Sequence, residues 1–156
     1  MSSLDGSTFL NGATINVDEL INIFNKLPIQ PQSSSAGAAS TASTTFIAAN
    51  SKTFAVAADD YIIWNSNLTY SVDDATCTGA IKFTVDGVTI GNSYPLRSTG
   101  ILASNGLVMP QSFSVHVFDL AAGSHIFKIE VQRTSGSGTL YLANSYSWFA
   151  VGKRRS

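Results

Sequence analysis

Leu120-Ala121-Ala122-Gly123-Ser124-His125-Ile126-Phe127-Lys128-Ile129-Glu130-Val131, then Ser135-Gly136-Ser137-Gly138, then Leu140-Tyr141-Leu142 through Tyr146, Trp148 and Phe149 to Val151, is the stretch that decides the fold. Apolar side chains recur at every second position, the period of a strand with one face in a core. Phe127, Ile129 and Val131 share one face, and Lys128, Glu130 and Gln132 share the other. The glycines of 135–138 supply turn chemistry between the two runs, so the block reads as strand, turn, strand in a hairpin. In the last strand Tyr146 and Trp148 fall on one face, Phe149 and Val151 on the opposite one. A strand that is apolar on both sides has to bury both, either in a wide intramolecular core or partly against another copy.

The same pattern extends N-terminally. Phe46-Ile47-Ala48 and Phe54-Ala55-Val56 open a β-domain over residues 45–152. Tyr61-Ile62-Ile63-Trp64 is apolar on both faces, and Leu68, Tyr70 and Val72 alternate, as do Phe113, Val115 and Val117 ahead of a turn at Leu120–Ser124. Ile81–Val85 runs into Asp86-Gly87 and then Val88-Thr89-Ile90, a strong hairpin signal. Pro95, Gly100 and Gly106 mark Asn92–Pro110 as a long surface loop. Roughly eight strands joined by turns predict an all-β jelly-roll sandwich.

Two segments precede it. Residues 1–27 form a head piece in which Asn16 and Glu19 are placed as a capping box. Val17, Leu20, Ile21, Phe24 and Leu27 follow at helical spacing up to Pro28. A helix of about three turns is marginal alone in water, so its stripe needs a surface to cover it. Residues 28–44, rich in Pro, Ser and Ala, hold little that drives burial and read as a tether, or as an arm laid along the domain. Residues 153–156 form a short basic tail.

Composition narrows the function. At 156 residues one domain is expected, and charged residues are only 12% of the chain against about 25% in ordinary soluble proteins. A net charge of −1 attracts no nucleic acid, and Lys153-Arg154-Arg155 reads as a solvated terminus or a docking tail. No apolar run reaches membrane-spanning length, and the first residues lack the pattern of a signal peptide, so cytoplasmic synthesis without export is expected. Cys77 is the only cysteine and has no basic neighbour in sequence; it reads as a packed thiol. His116 and His125, placed on adjacent strands, are too few to form a zinc site. Asp59-Asp60 and Asp73-Asp74, flanking one hairpin, read as turn caps rather than a calcium loop or a glycosidase pair. No nucleophile elbow, phosphate loop or dinucleotide fingerprint occurs. No enzyme activity and no metal or cofactor are therefore expected.

The Leu120–Val151 block resembles the last hairpin of the trimeric jelly rolls of phage structural proteins and of the tumour-necrosis-factor/C1q group. Phe9-Leu10-Asn11-Gly12, Val17-Asp18-Glu19-Leu20 and Phe24-Asn25-Lys26-Leu27 resemble a short anchor near the N-termini of phage tail-fibre and head-decoration proteins. The resemblance implies a homotrimer with Tyr146, Trp148 and Phe149 at the threefold interface. It also implies a partner anchor made of Phe9, Val17, Leu20, Ile21, Phe24 and Leu27. The implied role is that of a virion protein decorating or cementing the capsid surface, bound to itself and to the major capsid protein or another virion protein, with no nucleic acid or membrane as partner. A tail-fibre or receptor-binding tip that recognises host glycans through Asn92–Pro110 and exposed aromatics is the second expectation. A free lectin or carbohydrate-active enzyme is the third.

Overall fold

Two antiparallel sheets lie face to face in the computed structural model, which describes residues 32–36, 39–58, 60–97 and 109–153. Among the described residues nine strands make them: β1 (Gln32–Ala36), β2 (Ala39–Thr41), β3 (Ile47–Val56), β4 (Asp60–Val72), β5 (Thr78–Val85), β6 (Val88–Arg97), β7 (Met109–Val117), β8 (Gly123–Ser135) and β9 (Leu140–Lys153). The first sheet runs β1-β9-β4-β7, with β2 also paired to β9; the second runs β3-β8-β5-β6. This is a jelly-roll β-sandwich, the expected fold class.

Connectivity departs from the sequence expectation at the stretch that decides the fold. β8 lies in the second sheet and β9 in the first, so Ser135–Gly138 carries the chain across the sandwich and does not close a hairpin. The Leu120–Ser124 segment likewise crosses from β7 to β8. Alternation reports which face is buried, but it does not say which neighbour a strand chooses. Of the turns named from sequence, Asp86-Gly87 does join partners, with Val85 opposite Val88. Asp86 (φ 50) and Gly87 (φ 84) both adopt the positive φ that such a two-residue turn requires.

Other boundaries also move. Gln32–Ala36 and Ala39–Thr41, read as part of a tether or of an arm laid along the domain, pair antiparallel with β9 as an edge of the first sheet, as the arm would. Backbone hydrogen bonds, which need no large side chains, offset their ordering there. Residues 92–97, read as loop, complete β6; Pro95 is tolerated because β6 is an edge strand. The predicted helix and the anchor residues Phe9, Val17, Leu20, Ile21, Phe24 and Leu27 lie outside the described residues, as does the tail from 154.

Between the sheets the core is built on aromatic rings. Trp64 meets Phe83 edge-on at 4.9 Å and Phe127 at 5.7 Å, and Phe54 stacks on Phe127 at 4.5 Å. Ile62, Ile81, Ile129, Leu140 and Leu142 fill the space around them. Such pairs add to the burial that drives the fold.

One irregularity sets the orientation of the last strand. Thr69 pairs with Asn144 and the next residue, Tyr70, with Leu142, so Ala143 is an extra residue in β9. Before this bulge the even positions Leu140 and Leu142 point inward; after it the odd positions Ser145, Ser147 and Phe149 do. Tyr146 and Trp148 are thereby turned outward.

Candidate functional site

The outer face of the first sheet is where those aromatics emerge. Tyr146 is 58% exposed and Trp148 42%, large values for aromatic rings in the middle of a strand. Register places them in two parallel rows across three strands. Tyr146 of β9 faces Asn67 of β4, which faces Ser112 of β7; Trp148 faces Asn65, which faces Ser114. The Ser112 hydroxyl donates to Asn67 Oδ1 at 2.6 Å, which occupies the amide oxygen and leaves the amide N–H groups for another acceptor. Tyr146, Asn67, Thr69, Pro110, Gln111 and Ser112 line a shallow cavity of about 300 Å³. At the far end of the face the Tyr61 ring occupies the space that a Cβ on Gly152 would take, and it stacks on Phe118 at 6.4 Å between centroids.

Among the described residues the strand positions of this face carry no Asp, Glu, Lys or Arg; they are aromatic, small, amide or hydroxyl, with the aliphatic Ile63 on β4 and Pro110 and the exposed His116 on β7. The outer face of the second sheet differs. There Lys82 Nζ lies 3.0 Å from Glu130 Oε2, across β5 and β8, and 4.4 Å from the centre of the Phe46 ring. Lys128 joins them on that face. One face is therefore dressed for water and the other is neutral and aromatic.

Of the three residues expected at a threefold interface, two lie on this neutral face and one does not. Phe149 has no exposed surface and packs on Phe54, Trp64 and Phe127 at 5.0, 5.3 and 5.2 Å. It is a residue of the protomer's own core, because strand alternation sends it to the side opposite Trp148. The histidines are also separated: His116 is on β7 in the first sheet and His125 on β8 in the second. Asp60 and the Asp73-Asp74 pair stand at the two ends of the 13-residue strand β4, about 40 Å apart, and do not flank a hairpin.

Asp73 and Asp74 act as turn caps. Asp74 Oδ1 accepts from the Thr76 amide and hydroxyl at 2.7 and 2.6 Å, and its Oδ2 accepts from the Ser137 hydroxyl at 2.7 Å. Asp73 Oδ1 accepts from the Thr139 amide at 2.5 Å. These bonds tie together two connections that cross the sandwich at the same end. They hold both carboxyls below the ordinary carboxylate range, Asp73 chiefly through the Thr139 amide and Asp74 chiefly through the Thr76 hydroxyl. Cys77 is buried, and burial pushes its thiol up. Among the described residues no group of three His, Cys, Asp or Glu is placed to hold a metal ion.

The polar members of the two rows, Asn65, Asn67, Ser112 and Ser114, escape a reading based on apolar periodicity. Their signal was Asn65 and Asn67 at alternate positions inside a strand, a residue type that strands disfavour.

No family model and no curated protein matches this sequence. Solved structures do. A chain in the structure of infectious bursal disease virus Gx strain superposes with a TM-score of 0.50 at 12% identity, over 79% of this chain and 34% of that one. The insecticidal delta-endotoxin Cry8Ea1 from Bacillus thuringiensis gives 0.43 at 15% identity, over 77% and 19%. CBM35 from Paenibacillus barcinonensis gives 0.38 at 14% identity, over 79% and 99%. At such identities the likeness to the virus chain concerns the fold alone, and this chain spans about a third of its length.

Proposed function

We propose that this protein is a virion structural component that works by surface burial: a homotrimer whose jelly-roll domains associate through the outer face of the first sheet, decorating a phage capsid. The observation that carries this reading is the neutral aromatic face centred on Tyr146 and Trp148. A face that meets identical copies also meets its own charges, so self-association favours a surface without them. At about 3.4 Å per residue and about 4.8 Å between strands, the sheet presents roughly 700 Å². That is the scale of one partner's share, roughly 800 Å², in a stable interface. The virion assignment draws its support from the resemblance of residues 9–27 to phage anchors and from a fold shared with a virus chain. Three copies would bring three anchors to the shell and raise their effective concentration.

Analytical ultracentrifugation of the full chain at micromolar concentration should report a trimer, and Trp148→Ser with Tyr146→Ser should report monomers. A wild-type monomer at that concentration refutes the reading. Removal of residues 1–27 should leave the trimer intact but stop its incorporation into particles.

A second reading, a tail tip that binds a neutral host glycan, draws on the Asn67 amide held beside the exposed Tyr146 ring. Stacking faces beside fixed amide donors suit sugars. A glycan array decides between the two: specific retention of a sugar by the wild type, lost in the Tyr146 and Trp148 variants, favours the second.

A further inference from the structure

His125 has an acceptor at each ring nitrogen. Its Nδ1 lies 2.6 Å from Asp86 Oδ2, and its Nε2 lies 2.8 Å from the carbonyl oxygen of Ala121. A neutral imidazole carries one N–H and can satisfy only one of these; the imidazolium satisfies both. The other carboxylate oxygen, Asp86 Oδ1, accepts from the Ile126 amide at 2.8 Å, and the Asp86 amide donates to the Ile126 carbonyl at 2.9 Å. Three pieces of chain meet here: the β5–β6 turn, the start of β8, and the crossover that brings the chain from the first sheet to the second. The same crossover, through Phe118, Asp119, Leu120, Ala121 and Ala122, forms one wall of a notch of about 290 Å³ whose other wall is Ala58, Asp60 and Tyr61.

We infer that His125, Asp86 and the Ala121 carbonyl form a proton-dependent latch that holds the 118–122 crossover against the sandwich and so sets the shape of this notch. The latch is closed when His125 is an imidazolium and Asp86 a carboxylate. Asp86 is the charged side chain in contact with His125. β3 presents the apolar Phe54 as its register partner, β8 carries Lys128 on the opposite face, and the crossover adds Asp119 two residues before Ala121. The protonation states agree with the geometry. The Ala121 carbonyl, then Asp86, raise His125 above the ordinary histidine range. The Ile126 amide, then His125, hold Asp86 below the ordinary carboxylate range. A raised histidine contributes fully below its unfolded value of about 6.5, and that contribution is lost as pH climbs through the folded value. A lowered carboxylate loses its contribution as pH falls through its folded value. The latch therefore stays closed through mildly acidic pH and opens on the alkaline side.

The test is a pH titration of the ¹⁵N-labelled full chain, reading the His125 ring nitrogens and the amide exchange of residues 119–126. Asp86→Asn is the comparison; Asn tolerates the positive φ of this turn, so the hairpin is preserved. Expected are signals from two protonated ring nitrogens at pH 6 and a midpoint that falls in the variant. Wild-type exchange at Ile126 and in the crossover, corrected for its intrinsic pH dependence, should accelerate roughly two- to fivefold once pH passes the midpoint. A midpoint equal in both proteins, a single neutral tautomer at pH 6, or exchange in 119–126 that tracks β4 and β9 would each overturn the latch. The wild-type titration decides the matter even if the variant folds poorly.

Discussion

Trp148 and Phe149 are neighbours in sequence with opposite fates, and replacing each by alanine separates core from interface. Phe149 has no exposed surface and three aromatic neighbours within about 5.3 Å, all of them on its own chain. Truncating such a ring loses its transfer free energy and leaves a cavity that Trp64, Phe54 and Phe127 can only partly fill. Phenylalanine truncations in cores cost about 3–5 kcal/mol. That is a large share of a domain stability of about 5–15 kcal/mol and a drop of roughly 10–25 °C in Tm for a domain of this size. Trp148 is 42% exposed, so its loss should cost the protomer less than about 1 kcal/mol. It should instead abolish the dependence of Tm on protein concentration that an oligomer shows. Thermal melts over a hundredfold concentration range, with sedimentation at each end, read both effects. The reasoning is refuted if Phe149→Ala costs under about 1 kcal/mol. It is refuted equally if Trp148→Ala lowers Tm as far as Phe149→Ala does at every concentration.

Other consequences are testable on the same protein. Gly136 has φ 74, and a Cβ there would run into the Thr76 backbone. Gly136→Ala should cost about 1–2 kcal/mol from the left-handed backbone alone, more with the clash, as read from urea unfolding. The Thr139 amide and the Thr76 hydroxyl hold the carboxyls of Asp73 and Asp74 below the ordinary carboxylate range, so their contribution is complete above that range and is lost as pH falls through their lowered folded values. Melts between pH 5 and pH 2 should show a decline that is shallower in Asp73→Asn/Asp74→Asn. The buried Cys77 thiol, pushed up by burial, should resist a thiol-reactive disulfide in the native state and react at once in denaturant.

Alternation along Phe127, Ile129 and Val131 was enough to identify a half-buried strand, and all three residues are in the core. Asp86-Gly87 was legible because its turn is local: two residues with positive φ suffice to define it. Pairing across the sandwich was not. Ser135–Gly138 has the residues of a hairpin turn, yet Asp73, Asp74 and Thr76, about 60 positions away, hold it as a bridge between sheets. The same limit hid the latch, since His125 and Asp86 lie 39 residues apart and nothing local links them. The rows of Asn and Ser beside Tyr146 and Trp148 were invisible until register set three strands side by side. The strands Gln32–Ala36 and Ala39–Thr41 follow the arm laid along the domain rather than the free tether, a choice the sequence leaves open because a Ser/Ala segment carries no apolar signal even when its backbone pairs with a neighbour.

Ala143 gives the last strand a parity. The bulge that absorbs it puts odd positions beyond it inside and even ones outside; were the strand to run regularly through Ala143, Tyr146 and Trp148 would join Leu140 and Leu142 indoors while Phe149 faced solvent. Deleting Ala143 would instead remove the bulge and restore plain alternation from Leu142 onward, with Tyr146 and Trp148 still outside and the pairing with β4 kept. The protein's greasy exterior is set as much by where the strand takes up its spare residue as by which aromatics it carries.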